Sequence, residues 1–148
     1  MEKKKVLFIC TGNTCRSPMA EGIFNALARE RGVQARAQSC GIYASEGTQA
    51  SSGALRAAAE YGADISAHRA RQAAKELMRS AGRIYCMSGA HLDWIKSHAP
   101  DCAGKAALLD PEGISDPFGG IDEDYERTAE RIYDRICVVL DETEWGDV

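Results

Sequence analysis

No stretch of this 148-residue sequence is long and apolar enough to span a membrane as a helix, which needs about 20 predominantly apolar residues. The short apolar run after Lys3-Lys4-Lys5 is also too brief for a secretory signal, so none is expected. That basic run reads as a solvated N-terminus. Positive charge is not in excess: the net charge is −4, which disfavours general nucleic-acid binding. There is no internal repeat, low-complexity tract or linker, so one domain over residues 1–148 is expected, large enough for a single well-buried core. Nothing in the pattern leaves a large apolar helix face exposed, and a monomer is expected. The histidines and cysteines contain no Cys-x-x-Cys and no His-x3-His pair. Cys86, His91, His98 and Cys102 share one stretch but lack ligand spacing, so neither a metal nor another cofactor is expected. The positions of the six cysteines do not suit a secreted disulfide framework and fit a reducing, cytoplasmic setting; Cys10, Cys40, Cys86 and Cys137, in or beside apolar stretches, read as buried or catalytic thiols.

What is present is a loop. Val6-Leu7-Phe8-Ile9 reads as a buried strand, followed by Cys10-Thr-Gly-Asn-Thr-Cys-Arg16-Ser17-Pro18 and then a helical pattern. Ser17 suits a helix cap and Pro18 a first turn. A tight strand-to-helix loop turns backbone N–H groups toward one point at the positive end of a helix, making an anion cradle. A thiol on its floor is expected to have a lowered pKa, and a phosphate held above it would present phosphorus to the sulfur.

Apolar spacing predicts strands over 5–10, 34–40, 83–87 and 105–109. It predicts helices over 17–31, 51–61, 71–80, 89–98 and 122–141, with loops at 41–47 and 113–120. Met19, Ile23, Phe24 and Leu27 should face the core from the first helix. Leu77 and Met78 should do so from the third, and Tyr125, Ala129, Ile132, Ile136 and Val139 from the last. Strands alternating with helices imply parallel pairing, and a site at the carboxyl ends of the strands.

The Cys-x5-Arg-Ser loop near the N-terminus, with Asp116-Pro117 far downstream, resembles the low-molecular-weight protein tyrosine phosphatase family. Ser39-Cys-Gly41 resembles that family's Ser-Ala-Gly, with Cys40 a departure, and His68-Arg69 falls where the family has a similar pair. The resemblance runs over essentially the whole chain. It implies a small three-layer α/β sandwich with a central four-stranded parallel sheet. Thr14 in the loop, and Phe118-Gly-Gly120 after Asp116-Pro117, are similar to the bacterial protein-arginine phosphatase branch. Tyrosine-specific members usually carry a branched aliphatic residue at the first position and paired aromatics at the second.

On these grounds Cys10 is the expected nucleophile, passing through a phosphocysteine. Arg16 supplies a planar fork for two phosphate oxygens. Thr11, Gly12, Asn13, Thr14, Cys15, Arg16 and Ser17 together form the phosphate-binding loop. Gly12 and Asn13 should let it adopt positive φ, and the resemblance implies that the Asn13 side chain pins it. Ser17 has two compatible roles, capping the helix and donating to the Cys10 thiolate. Asp116 is the expected general acid, with Asp110, in a second Asp-Pro pair, its competitor or a plain turn residue. Thr14 would leave room for a guanidine leaving group. Phe118 reads either as a pocket wall on which a guanidinium stacks or as a core anchor. The resemblance also implies that Cys15 could form a reversible disulfide with Cys10. His68 and Arg69 read as a structural or pocket-rim pair, Asp122-Glu-Asp124 as a solvated helix start, and Trp145 as part of a frayed tail.

The expected activity is hydrolysis of phosphoarginine on phosphorylated proteins, with phosphotyrosine as the alternative. Arsenate reduction, which needs a relay of further thiols of which Cys86 could be one, is a more distant reading. A non-catalytic phosphoprotein-binding module is another, although such a module needs neither thiol nor acid.

Overall fold

The computed structural model describes residues 4–143 and residue 145; Lys3 of the basic run lies outside the described residues. Four strands, β1 (Lys4–Cys10), β2 (Ala35–Gly41), β3 (Arg83–Cys86) and β4 (Ala106–Leu108), pair in the order β2-β1-β3-β4, all parallel. Parallel neighbours require crossovers, and four helices lie on them: α1 (Arg16–Arg31), α2 (Ser52–Ala59), α3 (Lys75–Ser80) and α4 (Gly89–His98); α5 (Asp122–Glu142) follows β4.

The two faces of β1 separate two cores, because side chains alternate along a strand. Val6, Phe8 and Cys10 face α1, α2 and α5 together with Phe24, Ile23, Tyr125, Ile132 and Ile136. Leu7 and Ile9 face α3, α4 and a 3₁₀ turn (Pro100–Lys105) together with Met78, Ile84 and Ile95. The result is the expected three layers around a four-stranded parallel sheet. Phe24 packs edge-on to Phe8 at 5.9 Å between ring centroids, and full burial of such side chains stabilises the fold by roughly 2 kcal/mol each.

Most predicted elements shift by a residue or two at their ends, and three readings are corrected. The helix predicted over 71–80 starts at Lys75. Residues 71–73 run extended beside the end of β2, where the Arg71 N–H donates to Asn13 Oδ1 (3.0 Å) and the Ala73 N–H to the Gly41 carbonyl (2.8 Å). Tertiary partners for those N–H groups outweigh helix propensity. The 3₁₀ turn over Pro100–Lys105 was not anticipated. Trp145 is no frayed tail: it is buried, edge-on to Phe24 at 5.8 Å, with Lys4 Nζ over its ring.

Close contacts hold the loop after β1. The N–H of Ile42 donates to the Cys10 carbonyl (3.0 Å) and that of Tyr43 to the Thr11 carbonyl (2.9 Å). Gly41 makes this approach possible, since a Cβ there would lie 2.5 Å from the Thr11 carbonyl oxygen.

Candidate active site

Cys10 ends β1 and Arg16 begins α1, so residues 11–15 make the turn. Asn13 takes φ +58°, the left-handed region, and is wholly buried. Every polar group of its side chain is used. Nδ2 donates to Ser17 Oγ (2.8 Å) and Ser39 Oγ (3.0 Å), and Oδ1 accepts from the Arg71 N–H. Its carbonyl oxygen meets His68 Nε2 at 2.8 Å. Ser39 in turn donates to Glu21 (2.6 Å). Helix α1, strand β2 and the 68–71 segment thus fix a backbone conformation that would otherwise be costly for a non-glycine residue. His68 accordingly stands behind the loop as a structural residue, and exposed Arg69 donates to the His68 carbonyl.

Ser17 does not cap the helix. The cap position is Cys15, without a side-chain cap bond, and Ser17 lies inside the first turn with its hydroxyl pointing inward. Its oxygen accepts from Asn13 Nδ2 and lies 2.8 Å from Cys10 Sγ. The Asn13 N–H donates to the same sulfur (3.3 Å). Burial raises the Cys10 thiol pKa above its ordinary value. The Ser17 hydroxyl and N–H, the Arg16 charge and the Asn13 N–H all pull it down by less. The expectation of a lowered pKa is therefore corrected: it took account of the charge around the sulfur but not of the desolvation that comes with a 3% exposed side chain.

Arg16, also buried, ties the cradle to the loop over 113–120. Nη1 donates to the Ile114 carbonyl (2.9 Å), and Nη2 donates to Thr11 Oγ1 (3.4 Å) and lies 3.6 Å from Asp116 Oδ2. The Asp116 side chain is half exposed, and its Oδ1 accepts from the Phe118 N–H (3.0 Å), shaping the turn. Cys10, Thr11, Gly12, Thr14, Cys15, Arg16, Asp116 and Phe118 line one cavity of about 230 Å³. A larger groove of about 650 Å³ runs between the 112–120 loop and α5. It shares only Asp116 and Phe118 with the first and does not reach Cys10. Asn13 and Ser17, predicted as phosphate-binding, keep their side chains behind the loop. Phe118 is 71% exposed, which rules out the core-anchor reading.

Asp110 is elsewhere. It is buried, ion-paired with Arg131, and accepts from the Glu112 N–H (3.0 Å); the Arg131 contact holds its carboxyl below the usual range. It anchors the base of the loop over 113–120 to α5. Cys15 turns its sulfur to Ser51 Oγ (3.2 Å) and the Tyr125 hydroxyl (3.7 Å), while Cys10 turns to Ser17. Cys40 and Cys86 are buried, and burial pushes both thiols up to about 12, which leaves Cys86 poorly suited to a thiol relay.

Sequence reasoning considered His91 only as part of a metal-like group. In the structure His98 stacks on Trp94 at 4.1 Å, and among the described residues no three metal-binding side chains gather. His91 instead lies 2.9 Å from Thr11 Oγ1, eighty residues away in sequence. Burial first, and the Arg16 charge second, lower its pKa to about 4. The one local signal was its place three residues after Ser88 at the start of α4.

The comparisons fall in line with this geometry. A model of the low molecular weight phosphotyrosine protein phosphatase family matches residues 5–143. A protein-arginine-phosphatase of Geobacillus stearothermophilus is 35% identical over 145 residues, covering 92% of this chain and 95% of the relative. The crystal structure of a low molecular weight protein tyrosine phosphatase from T. tengcongensis is 39% identical, with a TM-score of 0.91 over 95% of this chain and all of that one. A mutant of the YwlE arginine phosphatase with a phosphorylated active-site serine is 29% identical, with a TM-score of 0.89 over 93% of this chain and 94% of that one.

Proposed function

The chain belongs to the low molecular weight phosphotyrosine protein phosphatase family, and on that premise we propose that it hydrolyses phosphoarginine on proteins through a phosphocysteine at Cys10. The observation that carries this reading is the cavity itself, where Cys10, Arg16 and Asp116 meet over a thiol backed by Ser17. Phosphoryl transfer asks mainly for positioning and charge neutralisation. Arg16 neutralises the equatorial oxygens of the phosphoryl group. Because burial raises the Cys10 thiol, its proton leaves as substrate arrives, and the phosphoryl dianion in the cavity can accept it. Ser17 and the Asn13 N–H then hold the thiolate. The sulfur attacks phosphorus in line, and Asp116 protonates the departing guanidine nitrogen. As a carboxylate, Asp116 next takes a proton from water attacking the phosphocysteine, and Cys10 leaves as the thiolate that Ser17 stabilises.

The preference for arginine rests on Thr14 and Phe118, which line the cavity, and on protein-arginine-phosphatase relatives at 32% and 35% identity. Thr14 is small and polar where a branched aliphatic side chain would crowd a guanidine. Phe118, exposed at the rim, offers a ring face to it. Phosphotyrosine is the second reading, favoured by the 39% identity to the T. tengcongensis tyrosine phosphatase. The deciding experiment measures kcat/KM on a phosphoarginine protein and a phosphotyrosine peptide side by side, with Cys10→Ser as the blank. A clear excess on phosphoarginine supports the proposal; an excess on phosphotyrosine replaces the substrate and keeps the chemistry. We further propose Cys15 as the partner of Cys10 in a disulfide formed under a two-electron oxidant such as a peroxide: both line the cavity, and the Cys15 sulfur would have to leave Ser51 and Tyr125 to reach Cys10.

A further inference from the structure

His91 is 1% exposed, yet it stands in the first turn of α4, a surface helix whose register does not require a histidine there. Its ring makes three polar contacts. Nδ1 lies 3.1 Å from the Ser88 backbone nitrogen and 3.1 Å from Ser88 Oγ, and Nε2 lies 2.9 Å from Thr11 Oγ1. A backbone N–H can only donate, so Nδ1 must present its lone pair. In the neutral ring the proton then sits on Nε2 and points at Thr11. The pKa of about 4 keeps the ring neutral at physiological pH.

This fixes the Thr11 hydroxyl. A hydroxyl has one proton and two acceptor sites. Here both acceptor sites face donors, His91 Nε2 at 2.9 Å and Arg16 Nη2 at 3.4 Å. The one hydroxyl proton is left for the cavity that Thr11 lines beside Cys10. Arg16 Nη1 is held by the Ile114 carbonyl, so Thr11 sets where the other arm of the fork stands. The mount is stiff, because β3 leads into α4 and pairs with β1 up to Ile9↔Cys86, one residue before the nucleophile.

We infer that His91 is a positioning residue: by donating from Nε2 to Thr11 it aims the Thr11 hydroxyl proton at a phosphoryl oxygen above Cys10 and steadies Arg16 Nη2. The role presumes the phosphate-handling site proposed above. The rival role is local, with His91 serving only to close the first turn of α4 through Ser88.

Two conservative variants separate the roles. His91→Gln places an amide N–H where Nε2 stood but loses the Nδ1 acceptor. His91→Asn keeps an acceptor near Ser88 but cannot reach Thr11. The readout is the Kd of inorganic phosphate by calorimetry, with kcat/KM on the preferred phosphorylated substrate measured alongside. His91→Asn and Thr11→Val should each weaken phosphate by about tenfold, the cost of one lost hydrogen bond to a charged ligand, while His91→Gln stays within about twofold of wild type. The double variant His91→Asn/Thr11→Val should be no weaker than either single one. Phosphate binding that is normal in His91→Asn, or lost in His91→Gln and retained in His91→Asn, overturns the inference. If both His91 variants bind weakly, the cycle with Thr11→Val decides: additive losses overturn it, and non-additive losses support it. Failure of the phosphatase reading looks different. Wild type would then bind phosphate with the same variant pattern but release none from any phosphorylated substrate.

Discussion

The Ser17 hydroxyl lies 2.8 Å from the Cys10 sulfur, inside the first turn of α1, where a serine is expected to cap. The same oxygen accepts from Asn13 Nδ2, and its one proton has two acceptors in reach, the sulfur at 2.8 Å and the Cys40 carbonyl at 3.4 Å. The residue beside the Cys10 sulfur is thus itself held by the residue that bends the loop.

Removing that hydroxyl should therefore act on the thiolate. Ser17→Ala is expected to lower kcat by about 10- to 100-fold with little change in KM, because the bond matters most when Cys10 is charged. The pH at which iodoacetamide alkylates Cys10 should move upward, since one of the downward pulls on a thiol already raised by burial is gone. Alkylation at the wild-type pH would mean that Ser17 does not hold the thiolate.

The two Asp-Pro aspartates should part cleanly. Asp116→Ala is expected to lose about 10²- to 10⁴-fold in turnover, the range for a general acid. Asp110→Ala is expected to cost about 2 kcal/mol of stability, because it strips a buried carboxylate from the half-exposed Arg131, while most turnover survives below the melting transition. Turnover at saturating substrate and urea denaturation of both variants check this, and the reverse ranking would make Asp110 the acid.

Acid should destabilise the fold through His91. Its folded pKa is about 4 against an ordinary 6.5, so between those values the unfolded chain binds more protons. Stability contributed by the neutral ring is complete above about pH 6.5 and is lost as the pH falls toward 4. The loss is on the order of 2 kcal/mol, allowing for solvent screening. Urea midpoints at pH 7 and pH 5 should differ less in His91→Gln than in wild type. Equal pH dependence would place the ring in contact with water.

Substrate choice should turn on exchange of the Thr14 hydroxyl for an ethyl group. Thr14→Ile is expected to cut phosphoarginine turnover at least about tenfold and to leave or raise aryl-phosphate turnover, since a pocket residue of this size shifts discrimination by about 1–3 kcal/mol. Parallel kcat/KM measurements on the two substrates test it. An unchanged ratio removes Thr14 from the argument.

The loop between β1 and α1 was readable because it is local. An apolar run, a nine-residue loop with Gly12 and Asn13, and a helix pattern follow one another without a gap, so covalent order alone brings Cys10 and Arg16 together. The sheet was readable for a related reason. Strands separated by helices must pair in parallel, and the stripes of α1 and α5 named their buried faces in advance. Trp145 and residues 71–73 were misread because nothing in their own neighbourhood specifies burial or extension. Phe24 and Lys4 cover the first, and Asn13 and Gly41 claim the N–H groups of the second.

By itself, then, the amino-acid sequence determined the order of strands and helices and the tight loop that joins β1 to α1. Tertiary structure alone decided which aspartate reaches the cavity, that Ser17 turns inward, that burial outweighs charge at Cys10, and that His91 stands behind Thr11. Each of these depends on what surrounds a side chain. For Thr11 and Arg16 those surroundings come from segments 80 and 98 residues away in sequence, brought in only when β3 and the loop over 113–120 dock beside β1.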